Sequence, residues 1–292
     1  MVRRIVASLA FLFLIAQPFF AFAEDVYFLE LVKVACPDEI RYAIQEGVEI
    51  NTVDKVYGRT PLIVAAIENQ DPGVIEVLIE NGADMSARDK AGMTALLAAA
   101  RYNRNPEIIE VLIKYGAGIE ERDNYGRTPL FKAAAGNKNA EVIETLIKAG
   151  ADIEARDKKG ITPLMAAVGY NKKTDIVEAL LRHGCDINAR DNMGWTPLMH
   201  AVGITVPDID VIKLLIENGA DINARDKEGN TPLIIATKNA YVLPSVVDFL
   251  LDKGANIKSK NNEGKTAVDY ARESFALSNT ATFERMNKLL MK

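Results

Sequence analysis

His183 and Cys185 are the neighbouring side chains in this chain that are best suited to hold a metal ion. A zinc site needs three or four such ligands, whereas the chain has only two histidines and two cysteines. It also lacks a His-Glu-x-x-His motif. We therefore expect no metal site, and we interpret His183 as an exposed residue in the last turn of a helix, near the negative end of the helix dipole.

Arginine–aspartate pairs are the next candidates for chemistry, and they recur at residues 88–89, 122–123, 156–157, 190–191 and 225–226. Catalysis needs a nucleophile, an acid, a base or a metal that converge on one point. A pair that returns at nearly constant spacing is more typical of a loop contact made in every structural unit. A glycine-rich phosphate loop ending in Lys-Ser or Lys-Thr is also missing. We expect no catalytic residue and no cofactor, because an enzyme would need a polar cluster outside the repeated positions.

The composition is that of an ordinary globular protein, with 292 residues of which 49% are hydrophobic and 26% are charged. These values exclude a disordered or collagen-like chain. The formal net charge is −5 and there is no basic block. Because nucleic-acid affinity comes mainly from neutralising phosphates, we expect no nucleic-acid partner. We interpret Cys36 and Cys185 as small buried residues that lie too far apart to form a disulfide.

Residues 1–23 have the pattern of a secretory signal peptide, with two early arginines, an apolar run and a cleavage site at Ala21-Phe22-Ala23. The alternative is an uncleaved membrane anchor, since the apolar run is nearly long enough to span a bilayer. We favour cleavage before Glu24 because Gln17-Pro18 interrupts the run. The mature chain is then expected in a periplasm without a membrane segment, and release from the cell is the alternative.

One tripeptide, Thr-Pro-Leu or a close variant, recurs through the rest of the chain at steps of 34 or 35 residues. Its copies begin at Thr60, Thr94, Thr128, Thr162, Thr196, Thr231 and Thr266. A second marker, Gly-Ala-Asp or a close variant, keeps the same phase. Its copies begin at Gly82, Gly116, Gly150, Gly184, Gly219 and Gly254. Two markers locked together over six periods predict a protein built from one repeated structural unit.

Each Thr-Pro-Leu tripeptide predicts the start of a helix, because threonine caps a helix N-terminus and proline fits the first turn. Five residues after each threonine stands an alanine, which lets neighbouring helices approach closely. These alanines are Ala65, Ala99, Ala133, Ala167, Ala201, Ala236 and Ala271. Nine residues after the first four threonines stands an asparagine, which tolerates the left-handed conformation at a helix end. These asparagines are Asn69, Asn103, Asn137 and Asn171.

A second helix is predicted in each unit, with a cap and a proline at its start, as in Asp71-Pro72 and Asn105-Pro106. Its apolar residues have helical spacing, as Val74 and Leu78 do. The glycine of the second marker ends this helix. An Arg-Asp-x-x-Gly segment such as 88–92 then supplies the turn formers of the loop to the next unit.

The whole unit of turn, helix, short connection, helix and long loop resembles the ankyrin repeat over about residues 26–290. The resemblance implies an all-α solenoid of helix-turn-helix units joined by hairpin-like loops. The family's usual histidine after Thr-Pro-Leu is absent, so the hydrogen bonds that it makes in the family cannot be assumed here.

On this basis a signal peptide precedes a single ankyrin-repeat domain. The expected ranges are 1–23 for the signal peptide, 24–292 for the domain, about 25–58 for its N-terminal cap, about 59–264 for six full repeats and 265–292 for the C-terminal cap. The N-terminal cap is expected to hold helices near 26–35 and 38–46.

Ankyrin resemblance also implies that a partner protein contacts the loop tips and the exposed side of the first helices, which line a concave face. The positions that flank the loop glycine and those near the end of the first helix are rich in Tyr, Trp, Arg and Met, residues enriched at interface centres. The predicted partner-binding residues are Tyr57, Arg59, Met93, Arg101, Tyr102, Tyr125, Arg127, Ile161, Tyr170, Met193 and Trp195. The alternative is that each aromatic residue packs on its own loop as an ordinary surface residue.

The function predicted from these patterns is a non-enzymatic adaptor or inhibitor, monomeric, that binds a partner protein in the cell envelope. The alternative is a secreted effector that binds a host protein. An ankyrin-like fold indicates a mode of binding and leaves the partner open.

The alanine positions give a direct test of the predicted close approach between helices. We expect Ala99→Leu to lower the free energy of unfolding by about 1–3 kcal/mol, because the larger side chain overpacks the contact. Urea denaturation followed by circular dichroism measures the change. Unaltered stability would show that position 99 faces solvent.

Overall fold

The computed structural model describes residues 21–291, with side chains from Val26 onward. Over this range the fold is all-α, with sixteen α-helices, one short π-helical segment and no β-strand. The helices are α1 Ala21–Leu31, α2 Pro37–Gln45, α3 Pro61–Glu68, α4 Pro72–Glu80, α5 Ala95–Tyr102, α6 Pro106–Lys114, α7 Pro129–Gly136, α8 Ala140–Lys148, α9 Pro163–Ala166, α10 Thr174–Arg182, α11 Pro197–Gly203, α12 Ile209–Glu217, α13 Pro232–Lys238, α14 Pro244–Asp252, α15 Ala267–Glu273 and α16 Ala281–Leu290. The π-helical segment Ala167–Asn171 continues α9.

The chain divides into two compact units, one of Met1–Ala133 with Lys148–Ala151 and the other of Ala134–Ile147 with Asp152–Lys292. Within the first unit α3 packs on α5, and α4 packs on α2 and α6. Within the second unit α11 packs on α13 and α13 packs on α15, while α10 packs on α12. In each unit, therefore, first helices stack on first helices and second helices on second helices.

The helix starts follow the predicted capping chemistry except at Thr94, whose side chain makes no capping hydrogen bond. The Thr60 hydroxyl accepts the N–H of Ile63, and the same bond recurs from Met165 to Thr162 and from Met199 to Thr196. Second helices are capped by Asp71, which accepts the Gly73 N–H at 2.9 Å, and by its counterpart Asn105. Side-chain caps of this kind satisfy N–H groups that a helix N-terminus leaves without a partner.

The predicted alanines all lie in the core, where none of them exposes more than 1% of its surface. Large aliphatic side chains such as Leu62, Leu96 and Ile109 surround them and are equally buried. Since helices carrying alanine at the contact approach more closely than helices carrying leucine, the small residue sets the helix spacing within each unit.

The recurring asparagine does not adopt the left-handed backbone conformation that the pattern predicted. Asn69 and Asn103 have extended backbone conformations, and Lys172 is the only non-glycine residue of the described chain with positive φ. The side chain of Asn103 instead donates two buried hydrogen bonds to the preceding repeat, at 3.1 Å to the Ala66 carbonyl and 2.7 Å to the Asn69 carbonyl. The prediction was wrong because the acceptors of the Asn103 side chain are carbonyls left unpaired at the end of a helix in the preceding repeat. The sequence of a single repeat does not show these acceptors.

The same arrangement recurs along the chain. Asn69 donates to the Val32 and Ala35 carbonyls, and Asn171 donates to the Ala134 and Asn137 carbonyls. Each asparagine also accepts the N–H of the residue two positions later, as Asn69 does from Asp71. One side chain thus shapes the turn between its own two helices and fastens that turn to the neighbouring repeat.

The cysteines differ from each other. Cys36 is exposed at the start of α2, which corrects the prediction that both cysteines are buried. Cys185 is buried, and desolvation raises the pKa of its thiol to about 12. Both thiols are free, and Cys36 is exposed because it occupies the cap before Pro37, outside the helix–helix contacts.

At the N-terminus most of the predicted signal peptide lies outside the described residues. The first helix of the predicted N-terminal cap spans Ala21–Leu31 rather than 26–35, and backbone turns follow it at Val32–Ala35. Among the described residues, the helices are too short or too polar to cross a membrane.

The asparagine contact makes a testable contribution to stability. We expect Asn103→Ala to lower the free energy of unfolding by about 2–4 kcal/mol, because it leaves buried carbonyl and N–H groups without partners. Asn188→Ala is the matched control, since Asn188 makes its inter-repeat bond to the Gly219 carbonyl in an exposed position. Equal losses in urea denaturation for the two variants would contradict this assignment.

Candidate protein-binding surface

The aspartate of each Arg-Asp pair organises the loop that follows it. The Asp89 carboxylate accepts the N–H groups of Ala91 and Met93, at 2.8 and 2.9 Å. Asp123, Asp157, Asp191 and Asp226 accept the equivalent two N–H groups of their own loops. This confirms the interpretation of the pairs as repeated structural contacts, because the carboxylate supplements the backbone hydrogen bonds of the loop with two side-chain ones.

The arginine of each pair links one loop to the next. Arg88 donates to the Gly92 carbonyl of its own loop and to the Arg122 carbonyl of the following repeat, at 2.9 and 2.8 Å. Arg156 and Arg190 repeat both bonds in the second unit. Glycine is needed between them because a Cβ on Gly92 would lie 2.9 Å from the backbone nitrogen of Asn124 in the next loop, and its φ is +78°.

This loop geometry sorts the predicted tip residues into two groups. The residue before the loop glycine points outward, and Tyr57, Tyr125 and Met193 are 56%, 58% and 56% exposed. The residue after the glycine donates its N–H to the buried carboxylate, which turns its side chain towards the first helix. Met93 and Ile161 are therefore buried, at 4% and 6%, and the structure corrects their assignment to an exposed tip.

The first unit brings most of the predicted residues together around one cleft. Its volume is about 420 Å³, and Tyr57, Tyr102 and Tyr125 stand around it with Arg59 and Arg101. Six further residues that were not predicted as partner-binding also line it, and three of them are charged: Asp89, Lys90 and Lys132. For Lys132 the sequence held one signal: its repeat position holds another ionisable side chain, His200, in the other unit.

Arginine side chains pack against the aromatic rings of this region. The guanidinium carbon of Arg59 lies 4.5 Å from the ring centre of Tyr57, and that of Arg101 lies 5.3 Å from the ring centre of Tyr102. Arg127 lies 4.7 Å from the ring centre of Tyr125. Such stacking adds a cation–π attraction and holds two long side chains in place before any partner arrives.

Lys132 is the most buried cation of the cleft, only 4% exposed, and its ammonium lies 2.6 Å from a carboxylate oxygen of Asp123. Burial lowers the pKa of Lys132, and the Asp123 carboxylate offsets only part of that effect. For Asp123, desolvation favours the protonated acid, but the Lys132 ammonium and the loop N–H groups outweigh it, so its pKa lies below the ordinary value. Lysine is usually exposed, and Lys132 is buried because its ammonium pairs with the carboxylate at the buried end of the loop.

In the second unit, Trp195 is half-buried against its own repeat. Its ring lies edge-on to His200 at 5.3 Å, and a Cβ on Gly203 would come within 2.8 Å of it. His200 in turn bonds to Asp191 at 2.9 Å, in the position that Lys132 occupies in the first unit. Tyr170 is 57% exposed in the π-helical segment. Trp195 thus fits the alternative of an aromatic residue packed on its own repeat.

His183 is the remaining candidate for chemistry that the sequence singled out. His183 is exposed at the C-terminal end of α10. Within residues 21–291, groups of three or more His, Cys, Asp or Glu side chains that could hold a metal ion are absent.

Comparison with known proteins places these repeats in a family. Sequence models described as ankyrin repeats match residues 66–157, 133–226 and 215–271, which together cover more than half of the chain. The chain belongs to the ankyrin repeat family. A search of curated proteins found no match.

The crystal structure of the ankyrin repeat domain of Bcl-3, described as a unique member of the IkappaB protein family, is similar to this ankyrin-repeat protein. The TM-score is 0.63 at 24% sequence identity, over 79% of this chain and 99% of the other. At this identity the likeness establishes the ankyrin fold alone.

The buried pair of this ankyrin-repeat protein gives a pH-dependent prediction. We expect Lys132→Met to destabilise the protein by about 3–5 kcal/mol at pH 7, because the Asp123 carboxylate is left buried without its counter-ion. Because the pKa of Asp123 is lower in the folded protein than its ordinary value near 4, the ionised carboxylate stabilises the fold at any pH above that value. This contribution is lost as the pH falls through the folded-state pKa. The penalty of the variant should therefore shrink towards pH 3.

Urea denaturation at pH 7 and pH 3.5 measures both effects. Lys114→Met is the matched control, because Lys114 pairs with Glu76 at 3.0 Å on the exposed surface, where an ion pair contributes little. A variant of Lys132 that is no less stable than this control, or whose penalty is independent of pH, would contradict the role of the pair.

Proposed function

We propose that this protein is a non-enzymatic interaction scaffold, an adaptor or inhibitor that binds a partner protein in the cell envelope. The partner is held by loop tips and first helices, the concave face that ankyrin resemblance implies. Ankyrin-family membership supports protein binding in general. The observation that carries the specific proposal is the cleft of the first unit, where Tyr57, Tyr102 and Tyr125 remain about half exposed and Lys132 is a buried cation.

The three exposed tyrosines support a protein-binding surface because their side chains are already fixed in place without a partner. Each of the three tyrosines has an arginine packed on its ring, so that little further side-chain freedom is lost on binding. Tyrosine and arginine are also the residue types that most often dominate the binding energy of an interface. The family's fold thus supplies the frame, and these residues supply the recognition.

The lining of the cleft favours a protein partner over a small apolar ligand. Small-molecule sites are lined mainly by apolar side chains with a few polar groups. This cleft has a charged floor, with Arg59, Asp89 and Lys132, and the tyrosines stand at its edge. A segment of another protein can cover the tyrosines while its polar groups reach the floor.

The location in the envelope rests on the predicted signal peptide at 1–23. Cell fractionation of the native organism tests it: retention in a periplasmic fraction supports an adaptor or inhibitor of an envelope protein, whereas recovery from the medium overturns the envelope location.

The exposed tyrosines give the test of partner binding. We expect the double variant Tyr57→Ala, Tyr125→Ala to lose at least about nine-tenths of partner capture from the native envelope fraction, since two interface-centre residues each contribute about 1 kcal/mol or more. Its thermal melt should match that of the wild type, because both rings lie on the surface. Trp195 is left intact in this test, since its packing against the Gly203 position would mix binding with stability.

Tyr241→Ala is the matched control, because Tyr241 is 66% exposed at the turn between α13 and α14. Capture by this control should equal that of the wild type. Full capture by the double variant would show that the cleft is not the docking surface.

A further inference from the structure

The cleft of the first unit has a charge opposite to that of the protein. Four of its lining side chains are cations, Arg59, Lys90, Arg101 and Lys132, and Asp89 is its one carboxylate. The chain as a whole carries a formal net charge of −5. A local excess of positive charge in an acidic protein is a selective feature of this cleft, because the field inside a concave site is stronger than on an open surface.

The four cations of the cleft differ in whether other groups of the protein supply them with a counter-ion or a hydrogen-bond acceptor. Lys132 has Asp123 as its counter-ion, and the Lys90 amine donates to the carbonyls of Lys55 and Val56 at 2.7 and 2.9 Å. Arg59 lies 3.7 Å from a carboxylate oxygen of Asp89. These three positions are therefore engaged within the first unit.

Arg101 is the exception. Its Nε atom is buried and has no hydrogen-bond partner among the described residues, and its guanidinium packs on the Tyr102 ring at 5.3 Å. The Nε atom of Arg59 also makes no hydrogen bond, because its 3.7 Å separation from the Asp89 carboxylate is too long for one, although the ion pair remains. An arginine with buried, unused donors at the edge of a cleft is a site that lacks its acceptor, since an unpaired buried donor loses its bond to water without gaining another.

The acceptor that fits a guanidinium is planar and anionic. A carboxylate accepts two parallel N–H bonds from one guanidinium through its two oxygens, whereas a backbone carbonyl has a single oxygen and carries no net charge. Tyrosine rings on three sides can cover the carbon chain that carries such a group. A peptide segment with Asp or Glu side chains offers this combination.

We propose that the cleft binds an acidic segment of the partner protein, one of whose carboxylates is received by Arg101 and Arg59. This inference rests on the proposed function and specifies the chemistry of the partner. A nucleic acid is less suited, because its affinity comes from a line of many phosphate contacts and the cleft offers one compact group of cations in an acidic protein.

A library of random twelve-residue peptides displayed on phage provides the probe. It is selected on the full chain, and clones are kept when they lose binding to the variant Tyr57→Ala, Tyr125→Ala. We expect these clones to be enriched in Asp and Glu over the unselected library. Synthetic copies should bind Arg101→Gln about 10-fold or more weakly than the wild type, the loss expected for one charge-assisted hydrogen bond.

Arg272→Gln is the matched control, because Arg272 is an exposed arginine with an ion pair to Asp269 in the C-terminal cap. It should bind the peptides like the wild type. Since Arg101→Gln breaks no hydrogen bond and removes only the exposed cation–π contact with Tyr102, its thermal melt should fall only slightly.

The outcomes separate the two proposals. Tyrosine-dependent clones without acidic enrichment, or with equal affinity for Arg101→Gln, would overturn the acidic segment and leave the docking surface standing. The absence of any tyrosine-dependent clone would count against the docking surface itself. Displacement of the acidic peptides by a twenty-nucleotide oligothymidine would overturn the choice of a peptide.

Discussion

A carboxylate buried at the base of each loop is the interaction on which the rest of the structure depends. Asp89 and its counterparts each accept two N–H groups of their own loop, which adds side-chain acceptors to the backbone hydrogen bonds of a tight turn. The turn then has two sides: the residue before the glycine faces solvent, and the residue after it packs on the first helix. The second carboxylate oxygen faces that helix, where Lys132 or His200 meets it. Loop shape, exposed tyrosines and buried cations therefore have one common cause.

Contacts between neighbouring repeats are made by single side chains that each serve two roles. Arg88 closes its own loop and bonds to the next one, and Asn103 shapes its own turn and bonds to the preceding repeat. Since repeats contact only their neighbours, such bridging side chains are the points at which one repeat can stabilise another. They also keep successive loops in register, so that tyrosines of different repeats stand around one cleft in the first unit.

The candidate site could be predicted in part. Tyr57, Tyr102 and Tyr125 are exposed as predicted, because the position before a loop glycine or at the end of a short helix has no neighbour to cover it. Met93 and Ile161 could not be placed correctly, since their inward turn follows from N–H bonds to a carboxylate four residues away. The burial of Lys132 could not be predicted either, because lysine is usually exposed and only its pairing with Asp123 explains its burial.

The sequence by itself determined the repeat, its helix starts, its close-packed alanines and its membership of the ankyrin class. These features depend on neighbours a few residues apart, and threonine, proline, alanine and glycine impose the same local geometry in every copy. Only the tertiary structure decided the role of the asparagines, the exposure of Cys36 and the unsatisfied donors of Arg101. The asparagine bonds reach groups about 34 residues away along the chain, which local pattern does not pair.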